Sequence, residues 1–358
     1  MNNVERYIKP NVRAMSGYRL ESVSYQIKLN QNENPYDIPP ELKQEILDVF
    51  KKEAWNRYPD FTGEKLREKL AGYLNVRPEN LIVGNGSNEM LKLIALATLG
   101  PGKNFLLVAP TFLIYEHLGH LTGAHLIDLE FNHDWSFPVH EILNTLQTTE
   151  VPLTILCSPN SPTGTILPPE DLVKILKSSK GLVVLDEAYY EFACVPYLKL
   201  WRDHENLILV RTFSKALGIA GLRTGYLIAH PQITQELMKV KLPYNLNKFS
   251  ELAAIKILEH PEIIQNAIKK ILQERDRLGE ALRELDGIRV YPSHANFFMM
   301  EPVKIAASDL FEQLLAHGIL IRDISRYHPR LKNKLRVSVG TPTENTRFLQ
   351  TLKKILEQ

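Results

Sequence analysis

The segment that decides the fold is residues 206–225, NLILVRTFSKALGIAGLRTG. It begins with an apolar run, Leu207 to Val210, which is typical of a buried strand in a parallel sheet. The run ends in a small polar segment that contains Ser214 and Lys215. A lysine beyond the carboxyl end of a parallel strand lies where open α/β sheets bind ligands, and Ser214 and Arg223 suit a phosphate. The segment suits a lysine that forms a Schiff base with a phosphorylated aldehyde. Taken alone it favours a solvated loop lysine, and only the rest of the chain changes that preference.

Short apolar segments alternate with amphipathic helical segments on both sides of this lysine. The alternation predicts βαβ units and an α/β fold, with a mostly parallel seven-stranded sheet sandwiched by helices. After a Pro/Asn-rich break at 242–247, helices and short strands predict a smaller α+β domain. We expect an irregular arm at 1–29 that packs on the small domain or on a partner subunit, a large domain at 30–246 and a small domain at 247–358. The predicted strands of the large sheet are 81–84, 105–109, 125–130, 153–157, 181–186, 207–211 and 225–229.

The composition of the 358 residues limits the classes of function. A formal net charge of +2 without a basic run argues against nucleic-acid binding. The two cysteines, Cys157 and Cys194, show no metal-ligand spacing, so we expect no metal site. Residues 1–30 contain no apolar core of a signal peptide, and no apolar run approaches the ~18 residues of a membrane span. We therefore expect a cytoplasmic protein that does not contact a membrane.

A glycine-rich loop, GNGSNE at 84–89, follows one predicted strand and opens a helix. Its free N–H groups and the helix dipole predict an anion site around Ser87 and Asn88. The dinucleotide fingerprint is the rival interpretation, but Glu89 stands where its third glycine is required. A plain N-cap role for Ser87 or Asn88 remains open and is compatible with phosphate binding.

Asp186 ends another predicted strand, GLVVLD, and is followed by Tyr189. A buried aspartate is costly unless it is paired, and a pyridinium nitrogen would be a suitable partner. Tyr189 could then reach a ring hydroxyl, and Phe112 in the PTF segment could stack on a flat cofactor. The alternatives are a helix-capping aspartate for Asp186 and a core aromatic for Phe112.

Taken together, these motifs resemble those of the fold-type I pyridoxal-phosphate aminotransferases, and among them the members that act on histidinol phosphate. The motifs follow the family's order and cover nearly the whole chain. They are NENP (32–35), RYPD (57–60), GNGSNE (84–89), PTF (110–112), SPNSPTG (158–164), DEAYYEF (186–192), RTFSKALGIAGLRTGY (211–226), NF (296–297) and LRVSVGTPTEN (335–345).

The resemblance implies a role for each matching residue toward pyridoxal 5'-phosphate. Lys215 would carry the cofactor and then act as the base that moves the substrate proton. Asp186 would pair with the pyridine nitrogen, Tyr189 would contact the ring oxygen, and Phe112 would stack on the ring. The residues that would hold the cofactor phosphate are Ser87, Asn88, Ser214, Arg223 and, from a partner subunit, Tyr58.

The resemblance also implies a substrate site. Arg336 would grip the anionic end of the substrate, with Arg322 and Tyr18 assisting and Asn34 of the NENP motif beside them. Two guanidinium groups suit a phosphate or a carboxylate through bidentate hydrogen bonds. Surface arginines on edge strands are the alternative interpretation, more so for Arg322 than for Arg336.

One position departs from the family pattern. Relatives usually have asparagine directly before PTG, where its amide contacts the cofactor's ring oxygen, and this chain has Ser161 there. Either the serine hydroxyl substitutes for the amide or the contact is lost. The preceding Asn160 is a second candidate for the cofactor contact.

The implied activity is a transamination between an amino donor and a 2-oxo acid, namely L-histidinol phosphate and 2-oxoglutarate, in a homodimer with shared active sites. An aminotransferase for phenylalanine and tyrosine remains an alternative, because a carboxylate also suits Arg336. A threonine-phosphate decarboxylase shares the same loops. From a different class, a catalytically silent module on this fold remains open, although it would need neither Lys215 nor Asp186.

Overall fold

The computed structural model of the chain describes residues 4–15, 17 and 23–357. Strands and helices alternate along most of this length. The strands are β1 (Ile27–Lys28), β2 (Leu81–Gly84), β3 (Asn104–Ala109), β4 (His125–Glu130), β5 (Leu153–Cys157), β6 (Leu182–Asp186), β7 (Leu207–Thr212), β8 (Gly225–Ile228), β9 (Ile288–Val290), β10 (Phe297–Pro302), β11 (Ile319–Leu320), β12 (Arg322–Asp323) and β13 (Leu335–Ser338). The α-helices are α1 (Pro10–Arg13), α2 (Pro40–Phe50), α3 (Glu64–Leu74), α4 (Ser87–Thr98), α5 (Ile114–Thr122), α6 (Val139–Thr148), α7 (Pro169–Ser178), α8 (Tyr190–Ala193), α9 (Tyr197–Trp201), α10 (Pro231–Val240), α11 (Lys248–Glu259), α12 (Pro261–Arg283), α13 (Ala307–Ala316) and α14 (Pro342–Leu356).

The large sheet contains seven strands in the order β2-β8-β7-β6-β5-β3-β4, so the predicted α/β fold class is confirmed. The pairs from β7 through to β4 are parallel, whereas β8 runs antiparallel to both β2 and β7. Every residue of β5 and β7 is buried. Strands covered by helices on both faces are apolar along their whole length, which explains why these segments were recognisable as continuous runs.

A smaller antiparallel sheet, in the order β12-β13-β10-β9, is formed by the last third of the chain. Helix α14 packs against α12 and α13, and α12 and α13 pack against this sheet. Among the described residues no helix, the 23-residue α12 included, is both long and apolar enough to cross a membrane. Helix α11 also packs against α2 and α3, and the division of the chain at residue 246 stays a prediction.

Segment 23–36 connects the two sheets. Strand β1 pairs with β11 in parallel, and the chain then continues past β13, where the Ser338 amide donates to the Leu29 carbonyl at 2.9 Å. Earlier in the arm, Asn11 on α1 donates to the His120 carbonyl on α5 at 2.7 Å. The described part of the arm therefore contacts both the large sheet's helices and the C-terminal part. The pairing of β1 with β11 places residues 30–33 above the carboxyl ends of the large sheet's parallel strands.

Candidate active site

A cavity of about 370 Å³ lies at the carboxyl ends of β5, β6 and β7. The loops that follow these strands form one side of it, and residues 30–33 with the small sheet form the other. It brings together eight of the residues that the sequence predicts for the site. They are Phe112, Ser161, Tyr189, Ser214, Lys215, Arg223, Arg322 and Arg336.

Lys215 follows β7 and projects into the cavity. Its Nζ donates to the Gln31 carbonyl at 2.7 Å and lies 5.8 Å from the centre of the Tyr189 ring. Burial, and next the charge of Arg336, lower the pKa of the Lys215 amine to about 7. A large fraction of the amine is therefore neutral near pH 7, which is the form that can attack a carbonyl or accept a proton.

Asp186 ends β6 beneath the cavity and is almost fully buried. Its Oδ2 accepts the Tyr115 hydroxyl at 2.8 Å, and its Oδ1 accepts the Ala188 amide at 3.0 Å. Burial raises the pKa of Asp186 to about 6, although both hydrogen bonds act in the opposite direction. No basic side chain of the described residues forms a salt bridge with Asp186. A buried carboxylate in this state suits a cationic ring nitrogen of a ligand.

The hydroxyl of Tyr189 is held at the cavity wall by an asparagine. Asn32 Nδ2 donates to the Tyr189 oxygen at 3.0 Å, and Ser338 Oγ donates to Asn32 Oδ1 at 3.0 Å. Asn32 has φ of 55°, a left-handed conformation that asparagine tolerates better than most residues. Because the oxygen of Tyr189 accepts from Asn32, its own proton is available to a ligand oxygen.

Arg223 and the amino end of α4 form a cradle for an anion. Arg223 Nη1 donates to Ser214 Oγ at 3.1 Å. Gly86, which precedes α4, has φ of +86°, and a Cβ on it would lie 2.7 Å from Arg223 Nη2. The guanidinium therefore lies against the start of the helix, where Ser87 and Asn88 occupy the first turn. A guanidinium, a hydroxyl and the free N–H groups of a helix together suit a phosphate.

Arg322 and Arg336 lie opposite each other on the paired strands β12 and β13, and both line the cavity. Arg336 donates from Nη1 to Ser161 Oγ and from Nη2 to the Asn30 carbonyl, each at 2.9 Å. The guanidinium of Arg322 lies 5.3 Å from the centre of the Tyr327 ring. Two facing cations in one cavity favour an anionic ligand, because such a ligand offsets their mutual repulsion.

Asn34 and Asn160 lie away from this cavity. Asn34 Nδ2 donates to the Ala216 carbonyl at 2.9 Å, and the residue lines a separate cavity of about 290 Å³ behind the lysine loop. Asn160 accepts from Thr111 at 2.7 Å and donates to the Pro110 carbonyl at 3.0 Å. Both amides hydrogen-bond to loop atoms, and their contacts with substrate or cofactor stay predictions.

Two further predicted residues, Tyr58 and Tyr18, cannot be placed at the cavity from the described part of one chain. Tyr58 is 81% exposed and stacks on Tyr244, with 4.5 Å between the ring centres. Its contact with a cofactor phosphate requires a partner subunit and stays a prediction. Tyr18 lies outside the described residues. In the described part of the chain, no group of His, Cys, Asp and Glu residues could hold a metal ion.

Sequence reasoning missed three residues that shape the cavity. Gln31 supplies the carbonyl acceptor of Lys215, Asn32 holds Tyr189, and Tyr115 holds Asp186. Gln31 acts through its backbone, which leaves no signal in the side chain. The NENP motif did contain Asn32, and a tyrosine three residues after Phe112 could have drawn attention to Tyr115.

The cavity, with a lysine at the edge of a mostly parallel sheet, a buried carboxylate and an anion cradle, has the arrangement of a group-transfer enzyme that uses a phosphorylated aldehyde. The chain belongs to the aminotransferase class I and II family, whose model matches residues 24–352.

Individual relatives cover nearly the whole chain. The histidinol-phosphate aminotransferase of Caldanaerobacter subterraneus subsp. tengcongensis is 37% identical over 356 residues, which is 99% of each chain. The crystal structure of the histidinol-phosphate aminotransferase from Clostridium acetobutylicum is 25% identical, with a TM-score of 0.86 over 93% of this chain and 99% of that one. The structure of L-threonine-O-3-phosphate decarboxylase from Porphyromonas gingivalis is 26% identical, with a TM-score of 0.82 over 93% of this chain and 100% of that one.

Proposed function

We propose that the chain is a pyridoxal-phosphate-dependent aminotransferase of histidine biosynthesis. It would interconvert L-histidinol phosphate and 2-oxoglutarate with imidazole-acetol phosphate and L-glutamate. The observation that carries this proposal is the 37% identity, over the full length, to a histidinol-phosphate aminotransferase. The paired arginines Arg322 and Arg336 beside Lys215 support it, because they suit a substrate with a phosphate at one end and an amine near the other.

The residues of the cavity fit pyridoxal 5'-phosphate. Arg223, Ser214 and the first turn of α4 would hold its phosphate, and Phe112 would lie against its ring. The buried carboxylate of Asp186 would pair with the ring nitrogen, and Tyr189 would donate to the ring oxygen. When bound, this cofactor supplies a carbonyl carbon and a conjugated ring that withdraws electrons from the substrate's amine-bearing carbon.

The protein's part in the reaction is binding, orientation and proton transfer. Lys215 Nζ holds the cofactor at rest, and during turnover it takes and returns the proton of the substrate carbon. Its pKa of about 7 suits a group that both accepts and releases a proton near neutral pH. Arg336 fixes the anionic end of the substrate, and Ser161 and the Asn30 carbonyl orient Arg336. In this chain Ser161 therefore serves the substrate arginine, where relatives usually place an asparagine toward the cofactor.

We also infer a homodimer with shared sites. Tyr58 and Leu242 are 81% and 73% exposed, and Trp55 is 72% exposed. Large apolar side chains in one region of the surface are typical of a protein interface. Activity regained on mixing Lys215→Ala chains with Tyr58→Phe chains would support shared sites, because one of the two mixed sites is intact. The cytoplasmic location stays a prediction.

Decarboxylation of L-threonine phosphate is the second candidate. It is supported by the similarity to the decarboxylase structure, whose identity and TM-score are close to those of the aminotransferase structure. An aromatic aminotransferase is the third, because Arg336 could bind a carboxylate as well as a phosphate.

A single-turnover titration of the cofactor-loaded enzyme tests these functions. The rate of conversion of bound pyridoxal phosphate to pyridoxamine phosphate is measured with L-histidinol phosphate, L-phenylalanine, L-tyrosine and L-glutamate. L-Threonine phosphate is tested in parallel for release of carbon dioxide. The proposal requires histidinol phosphate to react much faster than the aromatic acids. Equal or faster reaction of the aromatic acids indicates an aromatic aminotransferase, and carbon dioxide release indicates the decarboxylase.

A further inference from the structure

We propose that Tyr115 is a positioning residue, which orients the carboxylate of Asp186 and keeps it ionised for the ring nitrogen of the cofactor. The inference rests on the proposed function, since it assumes that Asp186 pairs with pyridoxal phosphate. Tyr115 lies in the first turn of α5 and is completely buried. Its hydroxyl reaches the end of β6, 71 residues further along the chain, where it donates to Asp186 Oδ2 at 2.8 Å.

The chemistry of the pair fixes the direction of this hydrogen bond. An ionised carboxylate can only accept, so the phenol must donate. Burial and the charge of Asp186 raise the pKa of Tyr115 well above its usual value, and the phenol therefore keeps its proton near neutral pH. Tyr115 is thus a donor to the Asp186 carboxylate near neutral pH.

Two donors fix the rotation of the carboxylate. Oδ2 accepts from Tyr115, and Oδ1 accepts from the Ala188 amide at 3.0 Å. A carboxylate offers about four acceptor positions, so the remaining ones can receive the N–H of a pyridinium. Without Tyr115, one oxygen would be buried with no donor from the protein, and the carboxylate could rotate away from the ring nitrogen.

The loop that leads into α5 links the orientation of Asp186 by Tyr115 to the stacking of Phe112 on the cofactor. Phe112 lines the cavity, and its ring meets the ring of Tyr115 edge to face, with 5.7 Å between the centres and 86° between the planes. One short segment, PTFLIY at 110–115, therefore provides both a ring for the face of the cofactor and a donor for the group beneath it. The position of the cofactor ring and that of Asp186 are set by the same segment.

Removal of the Tyr115 hydroxyl should change the ionisation of Asp186 by a measurable amount. Burial already raises the pKa of Asp186 to about 6, against the influence of Tyr115. Loss of a hydrogen bond to a charged group corresponds to a further rise of roughly one to two pKa units. In Tyr115→Phe much of Asp186 would then be protonated near pH 7, and a neutral carboxyl cannot hold the ring nitrogen in its charged form.

The test measures cofactor affinity between about pH 5 and about pH 9 in the full-length protein, by equilibrium dialysis against pyridoxal 5'-phosphate. The four chains are wild type, Tyr115→Phe, Asp186→Asn and the double variant. Tyr197→Phe is the matched control, since Tyr197 is equally buried and its hydroxyl bonds Ser158 at 2.8 Å instead of Asp186. Circular dichroism verifies that each chain is folded, and phenylalanine preserves the ring contact with Phe112.

We expect Tyr115→Phe to move the acid side of the affinity profile upward by roughly one to two pH units, with a loss of roughly two- to tenfold at pH 7. The affinity should approach that of wild type at about pH 9. In the Asp186→Asn background the same substitution should move nothing, and Tyr197→Phe should leave the profile in place. An equal loss at every pH, or the same shift in both backgrounds, overturns the proposal and makes Tyr115 a packing residue.

Failure of the underlying function gives a different result. If Asp186→Asn alone leaves both the affinity and its pH profile unchanged, Asp186 does not pair with the cofactor, and the role of Tyr115 is overturned with it. If the profiles behave as expected but histidinol phosphate does not react, the role of Tyr115 stands. In that case only the substrate assignment fails.

Discussion

Replacing Asp186 with asparagine should stabilise the cofactor-free chain while it weakens cofactor binding. The wild-type carboxylate is buried beneath an open cavity, and burial raises its pKa from 3.8 to about 6. Asparagine has nearly the same shape and carries no charge. It can still accept the Ala188 amide, so the substitution removes the desolvated charge and keeps a hydrogen bond.

The size of the stabilisation follows from the pKa values of Asp186 in the unfolded and in the folded chain. A folded-state pKa above the unfolded one means that folding binds a proton, so this contribution to stability is present below pH 3.8 and is lost as the pH rises through about 6. The difference of about two units corresponds to about 3 kcal/mol at alkaline pH. Asp186→Asn should therefore raise the free energy of unfolding by about 3 kcal/mol near pH 8, and by about half of that near pH 5.

Urea unfolding of the cofactor-free chains at both pH values measures this difference. Asp203→Asn, at an exposed aspartate, is the control and should change the stability little at either pH. Cofactor affinity is measured on the same samples and should fall in Asp186→Asn. A variant no more stable than wild type near pH 8 would refute the reasoning, because it would show that the Tyr115 and Ala188 donors fully offset the cost of burying the charge.

Three further predictions concern the other parts of the site. Lys215→Ala should still fold and retain cofactor, but lose at least roughly 10²–10⁴-fold in transamination rate; substantial turnover in a steady-state assay contradicts its role. The rate of cofactor uptake by the cofactor-free chain, followed by stopped-flow absorbance, should rise through about pH 7 as the Lys215 amine becomes neutral. Arg336→Gln should move that midpoint upward, since the guanidinium helps to lower the pKa, and an unmoved midpoint counts against this electrostatic account. Gly86→Ala should weaken binding of cofactor and of inorganic phosphate in the dialysis assay, because its Cβ would lie 2.7 Å from Arg223 Nη2. The control is Gly102→Ala, which is also at positive φ but has nothing within 4 Å of the added Cβ, and it should leave binding unchanged.

The large sheet was largely predictable because its central strands are covered on both faces. The apolar run from Leu207 to Val210 could only be a buried segment, and its neighbours repeat the pattern. The reversed direction of β8 was not predictable, since an apolar run such as Gly225–Ile228 reads alike in either orientation. Strands β11 and β12 have two residues each, which is too short for any periodicity.

Residues of the cavity were predictable where a sequence motif contains them. They were not predictable where only the folded structure brings two side chains together. Lys215 and Arg223 could be placed at the cavity because both lie in the family motif RTFSKALGIAGLRTGY. Asn32 and Asn34 share one motif, and only the folded structure shows that Asn32 bonds Tyr189 whereas Asn34 bonds the Ala216 carbonyl. The spacing from Phe112 could have drawn attention to Tyr115 but not to its partner, because Asp186 is 71 residues away and is met only through the docking of α5 on the sheet.

The strand order also constrains how the protein is made on the ribosome. Strand β2 pairs with β8, and β1 pairs with β11. Strands β1 and β2 therefore cannot form these pairs until much later parts of the chain have been synthesised. Asn30 and Arg336 meet at the cavity although they are 306 residues apart in the chain. Long-range pairings of this kind slow folding and leave strand edges uncovered for longer. We therefore expect a nascent chain to complete its large sheet only after β8 has emerged, and to complete the cofactor cavity only after β13 has emerged.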